Sequence, residues 1–237
     1  MRLLALDSAT ETCSVALLCD GRLVERNSSS GKAHAQHLLG MVSEVLAEGG
    51  VSLADLDGIA ASIGPGAFTG VRISVAVAQG LAFGAGLRVA AISTLEALAL
   101  QALASPALDA HGVGQPTHAI ACLDARMQEV YWGCFAADTR QGVIAMTMPR
   151  VSAPEAITLP GSHYVGIGRG FAAYPALTAL PGVQLPPGAA AAAPRAREFA
   201  QLGALRLALG QGRDPADLQP LYLRDKVART EAERAGH

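Results

Sequence analysis

Three segments of this chain carry residues whose types and spacing could do chemistry. The first is Gly64-Pro65-Gly66-Ala67-Phe68-Thr69-Gly70-Val71-Arg72, which runs unbroken into an apolar helical stretch reaching Ala82. Its glycines permit left-handed or very close backbone, and Pro65 fixes one dihedral angle. Such a turn presents bare N–H groups at the mouth of a helix, where orphan donors and the dipole favour an anion. The second is Asp7, which ends an apolar run and opens Ser8-Ala9-Thr10-Glu11-Thr12. A carboxylate there can hold a Mg²⁺-bound water while the turn amides face a phosphate. Phosphate turns of this kind place glycine at the point of nearest approach, and this one has none, so Asp7 is expected chiefly to cap its turn. The third is Asp124 to Trp132, a tight polar turn feeding a strand that carries the chain's only Trp. Arg126 and Glu129 are spaced to pair across that turn; the alternative use is a contact site in a cleft.

Other combinations fall short. His34 and His37 lie three apart at a helix start, a spacing that can share a metal, but His111, His118, His163 and His237 are scattered and supply no evident third ligand. Ser28, Ser29 and Ser30 have no paired His and Asp. There is no Walker Gly-x-x-x-x-Gly-Lys run. The tail arginines Arg224 and Arg229 are expected to be solvated.

Composition narrows the classes. The chain has 237 residues with 51% hydrophobic, 16% charged and a formal charge of −2. Its mean hydropathy of +0.31 is high for a protein without a membrane span and raises the expectation of a buried contact with another subunit. Without a basic stripe the chain is a poor candidate for gripping nucleic acid by itself. Cys13, Cys19, Cys122 and Cys134 show no CxxC spacing and read as reduced thiols. Asp7 and Glu11 cut the N-terminal apolar run short of a signal peptide, and no uninterrupted apolar stretch reaches a membrane span. A cytoplasmic protein is expected.

The elements that must position these groups follow from periodicity. Leu3–Leu6, Cys13–Cys19 and Leu23–Ser28 read as strands, the last two joined by an Asp20-Gly21 hairpin turn. A helix from about Ala33 to Glu48 stops at Gly49-Gly50. Leu56–Ile63 is a strand entering the Gly64 turn, Val89–Ile92 another, and Ser93 with Glu96 forms a capping box for a helix reaching Ala104. Ser105–Gln115 reads as a linker. Strands then recur at Ala119–Leu123, Val130–Ala136 and Val143–Met148, which suggests a duplicated lobe. Pro181–Pro194 reads as irregular, Arg195–Leu209 as a helix ended by Gly210, Pro220–Arg224 as an ordered tail, and the chain from Arg229 as frayed. The expected domains are 1–104, carrying partner-binding helices, and 105–237, smaller, with a tail packing back on the first.

Together these segments resemble the TsaB (YeaZ) family of bacterial proteins. The resemblance rests on Leu4–Leu17, Gly64–Ala82, Ile92–Leu95, Asp124–Trp132 and Pro220–Arg224, in the family's order; residues 149–212 carry little of it. It implies an α/β, two-lobed fold of the actin/Hsp70/sugar-kinase type, with duplicated ribonuclease-H-like lobes. It also implies a part in making N6-threonylcarbamoyladenosine at position 37 of tRNAs that read codons beginning with A. The family looks like a degenerate paralogue of TsaD, which binds metal and transfers the threonylcarbamoyl group, and it pairs with TsaD through N-lobe helices while the ATPase TsaE joins them. TsaD-like enzymes carry two histidines four apart on a helix plus a second-lobe aspartate, a set missing here, so no metal is expected. Asp7, Thr10, Gly64, Gly66 and Thr69 are then a vestigial nucleotide site, with residual ATP or ADP and Mg²⁺ binding left open and no cofactor required.

The resulting expectation is a non-catalytic activating subunit. Its partner-binding residues are expected to be Leu38, Leu39, Val42, Val45 and Leu46 on the first helix and Val71, Val75, Ala78, Leu81 and Ala82 on the Gly64-block helix. Partners would be TsaD, TsaE and, only through the complex, tRNA, with a homodimer when alone and no membrane. The rivals are a nucleotide-dependent transferase or hydrolase using Asp7, Thr10 and the Gly64 turn, a metallopeptidase of the M22 type, and a nucleotide sensor.

Overall fold

Leu3, Leu4, Ala5 and Leu6 are all fully buried because the strand they form is central in a sheet covered on both faces. A computed structural model describes residues 1–28, 34–104 and 116–224 of the chain. Strands β1 (Arg2–Asp7), β2 (Cys13–Cys19) and β3 (Arg22–Ser28) form an antiparallel meander. The hairpin between β2 and β3 turns on Asp20 and Gly21, both with positive φ. Helix α1 (His34–Gly49) leads to β4 (Gly58–Ser62), α2 (Phe68–Ala85) to β5 (Val89–Ile92), and α3 (Thr94–Leu103) follows. Strands β4 and β5 run parallel to β1, giving the order β3-β2-β1-β4-β5.

The second half repeats this plan. Strands β6 (His118–Asp124), β7 (Val130–Asp138) and β8 (Gly142–Ala145) form another antiparallel meander, with β9 (Arg150–Ser152) pairing the start of β7. Strand β10 (Tyr164–Ile167) lies parallel to β6, α4 (Gly170–Ala173) follows, and β11 (Val183–Gln184) lies parallel to β10. Helix α5 (Ala196–Ala208) comes last. Read from the other edge, the second sheet is β8-β7-β6-β10-β11, the order and strand directions of the first.

The two halves do not divide at residue 105. Helix α3 packs on β6, β7, β8 and β10 of the second sheet, while α5 packs on β1, β2, β4 and β5 of the first. Gly203 of α5 comes so near the first sheet that a Cβ there would stand 2.5 Å from the Ala60 Cβ. Each half therefore lends its last long helix to the other, and one core runs between the sheets, from Leu3, Ala5 and Ala60 through Leu98 and Phe199 to Ala121 and Phe135. The chain beyond α5 also returns to the first half. Gln79 Nε2 donates to the carbonyls of Pro215 and Leu218, and Leu221 N donates to Ile63 O at 2.7 Å.

The outer faces differ. The first sheet is covered by α1 and α2 through Leu38, Val42, Val45, Val75, Ala78 and Ala82. The second is covered by short turns between β9 and β11 that close over Trp132, Tyr164, Phe171 and Leu177. Helix α2 is long and apolar enough to cross a membrane by composition alone, but it packs on β4, and Ser74 Oγ donates to Leu6 O. The capping box is present on α3, with Leu95 N donating to Ser93 Oγ and Ser93 N to Glu96 Oε2. Four elements, β9, β10, α4 and β11, lie where the sequence pattern shows no strand or helix, β11 inside the stretch expected to be irregular; Gly166 and Gly170 interrupt the apolar runs because Phe171 and Cys122 sit where their side chains would go. The expected linker at 105–115 and the chain from 225 onward lie outside the described residues.

Candidate functional site

Glycines in the Gly64 block are bare because the chain's own first turn occupies the space. A Cβ on Gly66 would stand 2.0 Å from Ala9 O, and one on Gly70 2.0 Å from Ser8 O. Ala67 N donates to Ala9 O at 2.7 Å, and Ser8 Oγ donates to Gly70 O at 2.8 Å. The close approach that these glycines allow is taken up by the chain's own peptide. Asp7 caps this turn, its Oδ1 accepting from Ala9 N at 3.0 Å, while its Oδ2 is buried with no hydrogen-bond partner. Burial pushes the Asp7 carboxyl up to about 6; Ser62, whose hydroxyl is directed to Ser74, opposes this more weakly.

The corresponding turn of the second half opens outward. Asp124 Oδ1 accepts from Arg126 N at 2.8 Å and from Tyr174 Oη at 3.0 Å, and Asp124 Oδ2 pairs with Arg126 Nη1 at 2.9 Å. Arg126, Met127 and Gln128 all have positive φ, near 60°, a run that L-residues adopt only at a cost. The expected pair of Arg126 with Glu129 does not form: Arg126 turns to Asp124, and Glu129 is held by Arg224. Arg224 is correspondingly half-buried rather than solvated, because the tail carries it back across the molecule.

Between the two turns lies a cleft of about 850 Å³. Its walls come from both halves and from the tail, with Phe68, Met127, Tyr131 and Tyr222 supplying rings and a thioether, and Arg72, Arg126, Arg169 and Arg224 supplying charge. Glu11 reaches across it to Arg169 Nη1 at 3.0 Å and to Arg126 Nη2 at 4.0 Å. Of the five expected nucleotide residues, Thr10 and Gly66 line this cleft; Asp7 and Gly64 are buried behind it, and Thr69 is exposed outside its lining. Among the described residues no three His, Cys, Asp or Glu side chains gather as metal ligands. The thiols of Cys13 and Cys134 are pushed up to about 11 by burial, which leaves them inert near neutral pH.

The expected partner-binding residues need correcting for direction. Leu38, Val42, Val45, Val75, Ala78 and Ala82 are buried inside this chain, because they form the face of α1 and α2 that rests on the first sheet, while Val71 is buried at the start of α2 beside Gly64 and the cleft. Leu46 and Leu81 are partly buried against the same core, and only Leu39, 47% exposed, faces out. The outward face carries small and apolar residues, Leu39, Gly40, Ser43 and Ala47 on α1, flanked there by Glu44 and Glu48, and Ala76, Gly80, Phe83 and Gly84 on α2, with Ile73 and Val77 half-buried beside them. Phe83 is 79% exposed.

A family model described as "TsaD: tRNA N6-adenosine threonylcarbamoyltransferase" matches residues 27–165. The chain is 36% identical to the tRNA threonylcarbamoyladenosine biosynthesis protein TsaB of Escherichia coli, covering 96% of each. This chain belongs to the TsaB family. The Haemophilus influenzae TsaB is 35% identical, with 96% of this chain and 95% of that protein covered. The solved structure of YeaZ from Pseudomonas aeruginosa superposes with a TM-score of 0.82 at 38% identity, covering 94% of this chain and 99% of that one.

Sequence reasoning missed Arg169, Phe68 and Tyr222 as cleft residues. Arg169 lies in a stretch with no motif, and Phe68 and Tyr222 are single aromatics whose meeting depends on the tail's return. The run of left-handed residues at 126–128 carries no glycine and so gave no signal either.

Proposed function

We propose that this chain is a non-catalytic activating subunit in the formation of N6-threonylcarbamoyladenosine at position 37 of tRNAs reading codons that begin with A. In this reading it pairs with TsaD, which performs the transfer, and TsaE joins the pair. The observation that carries the proposal is the outward face of α1 and α2, where Leu39, Ala76, Gly80 and Phe83 present an apolar surface on a chain already rich in buried apolar area. Small residues there let a partner's helix approach closely, and each large apolar side chain covered contributes about 1.5–3 kcal/mol before the cost of association. Contact of Gly66 with Ala9 and of Gly70 with Ser8 supports the absence of catalysis, since both glycines are used for packing within the chain.

The same face is self-complementary enough to make a C2 homodimer when TsaD is absent, the commonest symmetric solution. tRNA is met only through the complex, no cofactor or metal is required, and the protein works in the cytoplasm. The matched strand order of the two sheets supports a duplicated, ribonuclease-H-like pair of lobes of the actin/Hsp70/sugar-kinase type. Reconstitution tests the proposal: tRNA modification is measured with TsaD and TsaE, with and without this chain. Modification should depend on the chain. Equal modification without it, or ATP hydrolysis by the chain alone, contradicts the proposal.

A further inference from the structure

One arginine of the cleft, Arg72, is left unmatched by the ion pairs of its walls. The cleft lining includes four arginines, Arg72, Arg126, Arg169 and Arg224, against Glu11 and Asp124 in the lining and Glu129, which holds Arg224 from beside it. The excess is one positive charge, and it sits on Arg72. Arg72 has no carboxylate partner among the described residues; its guanidinium lies 3.3 Å from the centre of the Phe68 ring and 5.2 Å from that of Tyr222. Both rings remain more than half exposed, at 59% and 58%. Met127 is held in the left-handed region at the cleft wall, a strain of the kind that persists where a site requires it.

Glu11 stands at the crossing point. It comes from the first half, yet its carboxylate is met by two arginines of the second, Arg169 at 3.0 Å and Arg126 at 4.0 Å. Glu11 itself is 60% exposed, so the pair is formed at the cleft mouth and is easily replaced. We infer that the cleft takes a small ligand bearing a planar aromatic group and one anionic group, the anion pairing with Arg169 and Arg126 in the place Glu11 now fills and the ring lying against Phe68, Met127 and Tyr222. The volume suits such a molecule, since ligand pockets run from about 300 to 1,000 Å³. Glu11 then acts as an internal competitor, holding the two arginines in position while the cleft is empty.

Calorimetric titration of the full chain tests this with four probes: indole-3-acetate and adenosine 5′-monophosphate, each a ring with an anion, and adenosine and inorganic phosphate, each carrying one half of the chemistry. One or both of the first pair should saturate a single site per chain, at least about tenfold tighter than either half probe. Glu11→Gln should tighten that binding several-fold by removing the competitor, and Arg169→Ala should weaken it about tenfold. Thermal melts of both variants show whether the fold survives, and the opposite signs of the two effects separate ligand contact from general loosening of the cleft. Failure of both ring-plus-anion probes to bind at millimolar concentration overturns the inference. So does Glu11→Gln binding no tighter than the parent, or Arg169→Ala binding as tightly. None of these outcomes depends on pairing with TsaD.

Discussion

The β1–β2 turn and the β6–β7 turn begin alike and finish in opposite surroundings. Each opens with an aspartate at a strand end whose Oδ1 accepts the N–H two residues on, Asp7 from Ala9 and Asp124 from Arg126. In the first turn, Ser8 and Ala9 are buried beneath Gly66 and Gly70, and the second carboxylate oxygen is left without a partner. In the second, the chain beyond the aspartate projects outward in three left-handed residues, and its charges are met by Tyr174, Arg126 and Arg224. One local device thus serves as packing in one half and as a cleft wall in the other. What decides between them is the element laid over the turn, a glycine-bearing helix start in the first half and a returning tail in the second.

The strongest way to break the contrast is to add a methyl group where the first turn is closed. Gly70→Ala would place a Cβ 2.0 Å from a backbone oxygen that cannot swing away, and should cost about 3 kcal/mol or more in urea unfolding. Gly84→Ala, in the same helix with open space around it, should be neutral or stabilising by up to about 1 kcal/mol. Equal effects would mean that the Gly70 approach is not what shuts the turn.

Asp7 sharpens the comparison through pH. Its folded value is raised by burial to about 6, above an unfolded value of about 3.9, so the folded state binds the extra proton between these limits. Stability is then greatest at the acid end of that window and falls as pH rises from about 4 to 6, by about 2–3 kcal/mol. Asp7→Asn should flatten this slope and be about 2 kcal/mol more stable at neutral pH. Asp124→Asn should instead lose about 1 kcal/mol, because it weakens an existing pair with Arg126. Urea midpoints across pH 4–8 measure both.

Gln128→Gly is a smaller effect. A residue at φ 61° is relieved by glycine, so the variant should gain about 1 kcal/mol. An unchanged or lower midpoint would show that the outward turn carries no strain at that position.

Much of this organisation is legible in the residues alone. The strand meanders, the Ser93 capping box and the glycine stops at Gly50 and Gly210 are local signals, and local signals survive folding. The buried face of α2 was not legible, because Val75 and Ala78 are no more apolar than Ala76 and Phe83 on its exposed side, whereas α1 sets Ser43, Glu44 and Glu48 outward. A helix apolar all round gives no period from which to choose the buried face. The exchange of α3 and α5 between sheets was equally hidden, since it depends on which sheet each reaches after long connections. The cleft depends on a tail that meets Ile63 from more than 150 residues away. The glycine block was readable as a place of close backbone approach, but not as one that the chain itself would fill.

The direction of the helix face is the central claim, and a charge placed on it tests that claim most directly. Ala76→Glu lies on the exposed side of α2, whereas Val75→Glu lies on the buried side one residue earlier. Sedimentation of each variant mixed with TsaD, alongside thermal melts of the variant alone, separates association from folding. Ala76→Glu should keep the parent melting temperature and lose the complex, while Val75→Glu should melt at a much lower temperature. An Ala76→Glu chain that still sediments fully with TsaD would contradict the account.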